Sequence, residues 1–393
     1  MKYTAILDFG SKKIQCLIRA QMRTGETETA GQASQHYAGL RMNAEPDFSS
    51  IQQTTLLTLE ATEREAKCDM EQVVVGVPGI YTSVTCRKTD MHFDTARPIE
   101  EKDIQAAIEK SIRSIRDSEH IVLHSIPVYY LFDGETHEDI PEGKMVQSIE
   151  VIVAHILMKR EFQEMVATIF LGSGYKVSHF VDALLAEALY VIPDAQLKKD
   201  TIVIDVGGYH TDVRVMRKKA AIFHKSLAIG GEHLTNDLKL VTGMTQEAAE
   251  KIKKYYVFGM DYDEGAENCR MEGGGSEEVP CRLIQDIIEA RVSELLSMIL
   301  TTIREAPIDY KPGTAIVLAG NGLAPIRGSV EFFQRMADFP VSAPLPTELP
   351  PNSYGLCSVY GIAEYAPAEE EEPTKKDWKE TSFFKKLLHF FTE

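Results

Sequence analysis

Two stretches of the chain place an aspartate and then glycines between apolar runs. Residues 4–18 read TAILDFGSKKIQCLI and residues 201–215 read TIVIDVGGYHTDVRV. Laid over one another, Asp8 falls on Asp205, Gly10 on Gly207 and Ile14 on Thr211. Glycines in such a turn remove side chains, so backbone N–H groups approach an anion closely. A carboxylate beside phosphates repels them unless a divalent cation lies between. Either turn alone reads as an ordinary β-hairpin. Facing each other across a cleft, the two would clamp a nucleotide polyphosphate, with Mg2+ between Asp8 and Asp205. A third stretch, AIVLAGNGLAPIRG at 315–328, again runs a buried strand into glycines. Its open backbone at Gly320, Asn321 and Gly322 gives an adenine or ribose a surface to lie on, and the three turns together favour the clamp.

The elements that must position these turns follow from periodicity. Residues 3–20 read as strand, tight polar turn and strand, with RTGETETAG at 23–31 as a hairpin connection. Residues 49–67 have helical spacing, and 72–81 read as a buried strand ending at Pro78-Gly79. Residues 98–115 form an amphipathic pattern, with Ile104, Ala107, Ile108, Ile112 and Ile115 on one face. Strands around 120–132 and 146–157 flank the acidic loop DGETHEDIPEGK, and a helix at 159–171, a strand YKVSHFV and a helix DALLAEALYVI follow. A second lobe begins at about residue 195. Within it, 233–256 and 282–305 are long helical patterns. The polar DYDEGAENCRMEGGGSEEVP between them reads as a flexible surface loop, because its triple glycine leads to acidic residues and a proline rather than a helix start. A strand at 314–319, a helix at 329–338 and a short helix at 354–366 close the folded part.

Bulk composition sets outer limits. The 393 residues allow two or more domains, and 44% hydrophobic with 26% charged residues is ordinary for a folded soluble protein. The net charge of −17 speaks against a general nucleic-acid binder. Six cysteines (Cys16, Cys68, Cys86, Cys269, Cys281 and Cys357) show no metal-site spacing and read as buried apolar side chains in a reducing cytosol. No signal-peptide pattern opens the chain, and no apolar run approaches the roughly 18–20 residues of a spanning helix. The chain therefore reads as cytoplasmic.

The order of the three turns resembles the actin–Hsp70–hexokinase superfamily, and finer detail resembles its FtsA family of bacterial cell-division proteins. LDFGSKKI (7–14) is similar to the phosphate-1 motif, with Ser11 in the Ser/Thr position, Lys12 beside it and Lys13 in the position of the usual lysine. VIDVGGYHTDV is similar to phosphate-2 through Asp205, Gly207, Gly208, Thr211 and Asp212. SLAIGGEHLTNDL (226–238) and AEKIK (249–253) resemble the stretch that passes base and ribose, which implies contacts from Gly230, Gly231, Glu232, Glu250 and Lys253. VVVGVPG (73–79), HSIPVYYLFDG with IPEGKM (124–145) and IEARVSELL (288–296) extend the resemblance over nearly the whole chain. Tyr209 and His210 depart from the glycine and threonine usual in phosphate-2; the tyrosine either narrows the pocket or points away. Ala319 and Asn321 replace a threonine and a glycine of the adenosine motif. Ala183-Leu184 replaces Glu-Pro in the helix joining the lobes, with Asp182 before it and Glu187 after it as candidate water-activating carboxylates. These departures imply slow hydrolysis at most.

What the resemblance implies is an α/β fold of the actin-like ATPase type: two duplicated lobes around a nucleotide cleft, with an FtsA-type 1C subdomain inserted in the first lobe. Residues 1–82 and 159–194 would form subdomain 1A, and 83–158 the 1C insertion, compatible with a strand–helix–strand–strand order. Residues 195–230 and 316–349 would form 2A, 231–315 would form 2B, and 350–366 the closing helix of 1A. A linker at 367–380 and a terminal amphipathic helix at 381–393 complete the chain. The implied cofactors are ATP and Mg2+. Implied partners are the FtsZ C-terminal peptide on the lobe 231–315, with Arg291 a candidate contact, further copies of the chain in a filament, other division proteins and anionic lipid. The implied location is the cytoplasmic face of the bacterial membrane at the division site.

The end of the chain carries its own physical argument. PAEEEEPT is a charged, proline-bounded linker. In the following KKDWKETSFFKKLLHFFTE, a helix capped by Thr381 or Ser382 gathers Phe383, Phe384, Leu387, Leu388, Phe390 and Phe391 on an arc of roughly 160°. Lys385, Lys386 and His389 fall opposite, and Trp378 precedes the helix. At roughly 1.5–3 kcal/mol per fully buried side chain, even half burial is worth several kcal/mol. The face docks on the protein's own body, on a partner or on a membrane surface; flanking lysines favour anionic lipid, and FtsA proteins end in such a membrane-targeting helix. Two other readings are a PilM-like pilus-assembly adaptor, against which the tail speaks, and a sugar-kinase-like phosphotransferase, which needs a carboxylate base facing a substrate cleft.

Overall fold

An unbroken apolar run marks a strand covered on both faces, and β1 (Lys2–Phe9) is one: Ala5, Leu7 and Phe9 enter one core while Ile6 enters another. The computed structural model describes residues 2–22, 26–137, 139–140 and 143–365. β1 turns into β2 (Lys13–Gln21), with Asp8 opposite Gln15, and β3 (Thr27–His36) continues the meander. The 23–31 connection is thus shorter than its composition implies, because 27–31 already pair with β2. α1 (Phe48–Ala66) starts at Asp47, whose carboxylate accepts from Ser50 N–H, and leads to β4 (Gln72–Val77), parallel to β1.

Next come β5 (Thr82–Pro98), α2 (Glu101–Ser114), β6 (His120–Phe132), β7 (Glu135–His137) and β8 (Met145–Lys159). Their antiparallel sheet runs in the order β5-β8-β6-β7, with Ile104, Ala107 and Ile108 of α2 packed on Val146, Ile149 and Val151. α3 (Arg160–Phe170) and β9 (Lys176–Asp182) return the chain to the first sheet, whose order is β3-β2-β1-β4-β9.

α4 (Ala183–Val191) and α5 (Asp194–Leu197) then cross to the second lobe, where β10 (Asp200–Val206), β11 (Thr211–Arg217) and β12 (Ala220–Leu227) repeat the meander. α6 (Gly231–Thr242) and α7 (Gln246–Tyr255) replace the single helix expected over 233–256; Gly243 ends α6 in a left-handed conformation at φ 76°. The stretch read as a flexible loop is an antiparallel hairpin, β13 (Ala266–Arg270) and β14 (Ser276–Pro280), with the glycines in its turn. Its alternation is hidden because only Cys269, Met271 and Val279 carry the buried side. α8 (Cys281–Glu305) leads to β15 (Ala315–Ala319), parallel to β10, and α9 (Ser329–Gln334), β16 (Val341–Ser342) and α10 (Cys357–Tyr365) end the described chain. The second sheet runs β12-β11-β10-β15-β16. Both sheets are a three-stranded meander extended by two parallel strands, so the doubled motif reflects two lobes of one topology.

All six cysteines are free, and Cys86 corrects their uniform assignment to the core: it is exposed, while Cys68 and Cys281 are half-buried. No described helix is long and apolar enough to cross a membrane. The terminal segment with Trp378, Phe383, Phe384, Lys385, Lys386, Leu387, Leu388, Phe390 and Phe391 lies outside the described residues.

A buried histidine fastens α2 to its sheet. His155 of β8 bonds Ser111 Oγ through Nε2 at 2.7 Å and Ser125 Oγ through Nδ1 at 2.8 Å. Burial first, and the Arg87 charge second, push its pKa from 6.5 down to about 4. The unfolded chain therefore binds the extra proton between those values, and this contribution to stability is present above about pH 6.5 and lost toward pH 4. We expect His155→Gln to flatten the acid limb of urea-unfolding free energy by up to ~1.4 kcal/mol per pH unit. Equal slopes in both proteins would mean that the imidazole charges freely in the folded state.

Candidate functional site

The lobe-ending turns converge. Asp8 is the penultimate residue of β1, and Asp205 that of β10, where it lies opposite Asp212 of β11 and level with Ala319 of β15. The turn after β10 is closed by Gly207 N–H donating to the His210 carbonyl at 3.0 Å. The turn after β15 is locked onto it: Gly322 N–H donates to the Val206 carbonyl at 2.7 Å. A Cβ on Gly320 would stand 1.9 Å from Asp205 Oδ1, and one on Gly322 would stand 2.5 Å from the Gly207 carbonyl. Glycine is thus required there by close backbone approach.

The start of α6 adds a second layer. Gly231 and Glu232 N–H donate to the Gly207 and Gly208 carbonyls at 2.9 and 2.8 Å. From α7, Lys253 Nζ reaches the Gly231 carbonyl at 3.1 Å, Thr235 Oγ1 at 2.9 Å and Glu250 at 2.6 Å. Burial lowers the Lys253 pKa, and the Glu250 charge opposes that shift. The turns also meet across the lobes: Ser11 Oγ accepts from Gly208 and Tyr209 N–H at 3.0 and 3.1 Å, and Lys12 pairs with Glu232.

These elements enclose a cleft of about 760 Å3. Asp8, Gly10, Ser11, Lys12 and Lys13 line one side, and Asp205, Gly207, Gly208, His210, Gly231, Glu232, Glu250, Lys253, Gly320, Asn321 and Gly322 the other. Gly230 does not line it; it packs beneath the Gly207 and Gly208 carbonyls. Tyr209 also lies outside the lining: its ring sits under the Arg41 guanidinium, 4.1 Å from the centroid, which settles its direction as away from the turn glycines.

The cleft floor is a cluster of buried carboxylates. Burial raises Asp8 to about 6 against a hydrogen bond from Ser358. Burial, then the Asp212 and Asp8 charges, raise Asp205 to about 8. Glu187 lines the same floor and is raised strongly by burial and by Asp205, Asp8 and Asp212. Asp182 is different and leaves the candidate list. It lies outside the lining, fully buried, with both oxygens on Arg214 (Oδ2 at 3.0 Å) and one accepting from Leu185 N–H at 2.5 Å. An arginine from the other lobe holds its pKa down despite burial, so its lone pairs are committed to lobe-to-lobe packing.

Arg291 is remote from the cleft: on α8 it pairs with Asp237 at 2.5 Å and Glu294 at 2.5 Å. Sequence motifs missed Ser358, Gly79, Lys254 and Tyr354, which also line the cleft. Lys254 had a signal, adjacency to Lys253; Ser358 and Tyr354 had none, being brought in from the far end of the chain.

The profile described as "Cell division protein FtsA" matches residues 202–361. The FtsA of Pseudomonas aeruginosa is 22% identical over 347 residues, covering 86% of this chain and 82% of its own. Among solved structures, the PilM–PilN type IV pilus biogenesis complex superposes with TM-score 0.58 at 16% identity, covering 92% of this chain and 97% of that one. MreB5 of Spiroplasma citri bound to ADP superposes with TM-score 0.54 at 12% identity, covering 93% and 96%. In sequence the chain is similar to FtsA proteins, and in structure it has the actin-like fold, two duplicated lobes around a cleft.

Proposed function

We propose that the protein is an actin-like cell-division protein that binds ATP with Mg2+ between its lobes, assembles into filaments and ties FtsZ polymers to the inner face of the membrane through its terminal segment. The observation that carries the nucleotide reading is the convergence of three glycine turns on one cleft of about 760 Å3, within the usual range for small-molecule sites. Relatives named for cell division support the division role, an MreB5 solved with ADP agrees with the nucleotide reading, and the filament, FtsZ and membrane parts follow from the motif resemblance and the apolar arc of the tail.

The residues present fit a hydrated Mg2+. Among the described residues no three His, Cys, Asp or Glu side chains form a metal cage, but Mg2+ characteristically keeps waters and takes one or two carboxylates plus phosphate. Asp8 and Asp205 are such a pair: burial raises the pKa of both, the Asp212 and Asp8 charges raise that of Asp205 further, and a cation beside them would favour their ionised forms. Mg2+ would supply charge neutralisation of the phosphates. The N–H groups of Gly208 and Tyr209, already aimed at an oxygen on Ser11, are placed to hold phosphate oxygens. Lys253, Glu250 and the glycines of 320–322 form the opposite wall for base and ribose. Glu187 is the carboxylate at the floor, where burial and the Asp205, Asp8 and Asp212 charges raise its pKa and so disfavour the ionised form that a general base needs. Slow hydrolysis at most is the expected outcome.

On the second lobe, an acidic FtsZ-type peptide must displace Asp237 or Glu294 to reach Arg291. A liposome pelleting assay tests the whole reading. The full chain should pellet with anionic vesicles, more completely with Mg·ATP because filaments add avidity, and a chain ending at Ala366 should stay in solution. Phosphate release in the same tubes should lie far below the enzyme median of about 10 s⁻¹. Vesicle binding that survives truncation would place the membrane contact elsewhere.

A further inference from the structure

The body carries an apolar groove of about 820 Å3 beside the outer edge of β9. Ile121 and Leu123 of β6 and Val177 and Phe180 of β9 are half-buried in its floor. Its rim carries Ala167 and Leu171, the latter 82% exposed. Among the described residues β9 pairs only with β4, and its ladder skips Ser178: Val73 faces Val177 while Val74 faces His179. A bulge at an edge discourages an added strand, so the groove suits an apolar helix face.

The place where the chain leaves the fold says which one. α10 runs back along the first sheet. Ser358 near its start bonds Asp8, while Glu364 at its end pairs with Arg19, which stands opposite Thr4. Ala5 is level with Val73, and Val73 with Val177. Tyr365 therefore lies at the end of the sheet where β1, β4 and β9 begin, on the face opposite the groove. From β2, which holds Arg19, to β9 is three strand spacings, about 14 Å at ~4.8 Å each, and crossing one layer of about 10 Å makes the span roughly 17 Å. Residues 366–381 intervene before the apolar arc, and a random coil of that length has an r.m.s. reach of about 22 Å, more where like charges repel. The reach covers the span, the condition for an effective concentration near 1 mM.

We propose that residues 382–391 dock their phenylalanine and leucine face in this groove when no membrane is present, so that groove and lipid compete for one segment. The lipid half rests on the membrane reading above; the docking half does not. An intrinsic groove affinity of only about 0.1 mM would leave the segment about nine-tenths docked at that effective concentration. Membrane affinity would then be about tenfold below that of a free tail.

Hydrogen exchange on the full chain and on a chain ending at Ala366, both without lipid, tests the docking. We expect protection of 382–391 in the full chain and roughly tenfold faster exchange around 163–180 in the truncated one. Leu171→Glu, at an exposed site that the fold does not need, and Phe384→Glu should each release the segment. Groove exchange that ignores the tail overturns the proposal. Protection that persists in the truncated chain and fades on dilution also overturns it, in favour of a second copy. With anionic vesicles, Leu171→Glu should bind about tenfold tighter than the unaltered chain; unchanged binding overturns the competition. Tail release by Leu171→Glu with no vesicle binding by any variant would sink the membrane reading and leave the docking standing.

Discussion

Asp205→Ala is expected to lower affinity for Mg·ATP by about 10- to 100-fold, the usual loss when a group acting on a metal through its outer shell is removed, while ATP binding in EDTA holds or rises. Burial first, then the Asp212 and Asp8 charges, hold the metal-free Asp205 carboxyl near pKa 8, so near neutral pH it is largely uncharged and repels phosphate little. A cation beside it favours the ionised form. Removing it therefore takes away a metal partner and leaves metal-free binding nearly as it was. Fluorescent-nucleotide titrations with Mg2+ and with EDTA separate the two. A matching loss in both would mean that Asp205 supports the turn rather than the metal. Asp8→Ala should behave alike, whereas Asp182→Ala should lower stability and spare the Mg2+ dependence, because Asp182 faces Arg214 and not the cleft.

Phe384→Glu is expected to cost more than a hundredfold in vesicle affinity. Truncating one interfacial phenylalanine to alanine loses about 1–2 kcal/mol, five- to thirtyfold, and glutamate adds a charge at the centre of the apolar arc beside Leu387. Lys385→Glu with Lys386→Glu should weaken binding to anionic vesicles only, and raised salt should erase that difference by screening. Nucleotide titrations should be unchanged in all three, since the linker separates the tail from the cleft. Vesicle binding left intact in Phe384→Glu while the body unfolds would make the segment a core element.

Much of the fold was legible in the sequence because it is set by near neighbours. The hairpin turns at Gly10 and Gly207, the buried runs of β1, β4, β10 and β15, and the amphipathic α2 all stem from residues within a few positions of one another. A weak local pattern hides an element. The β13–β14 hairpin reads as a loop because its outward faces are acidic and its turn glycine-rich, and α6 and α7 read as one helical pattern because a lone Gly243 separates them.

The sequence by itself determined that two lobes of one design each present an aspartate and open backbone at a strand end. It also fixed the apolar arc of the last residues. Which carboxylates do what was decided only by tertiary structure. Asp182 and Glu187 lie five positions apart, yet Arg214 from the other lobe neutralises the first while Asp8, Asp205 and Asp212 crowd the second. Tyr209 adjoins the turn glycines in sequence, and Arg41 draws its ring out of the cleft. Ser358 meets Asp8 across 350 positions of chain. The state of a buried charge depends on which groups reach it through space, and no local pattern of residues carries that information.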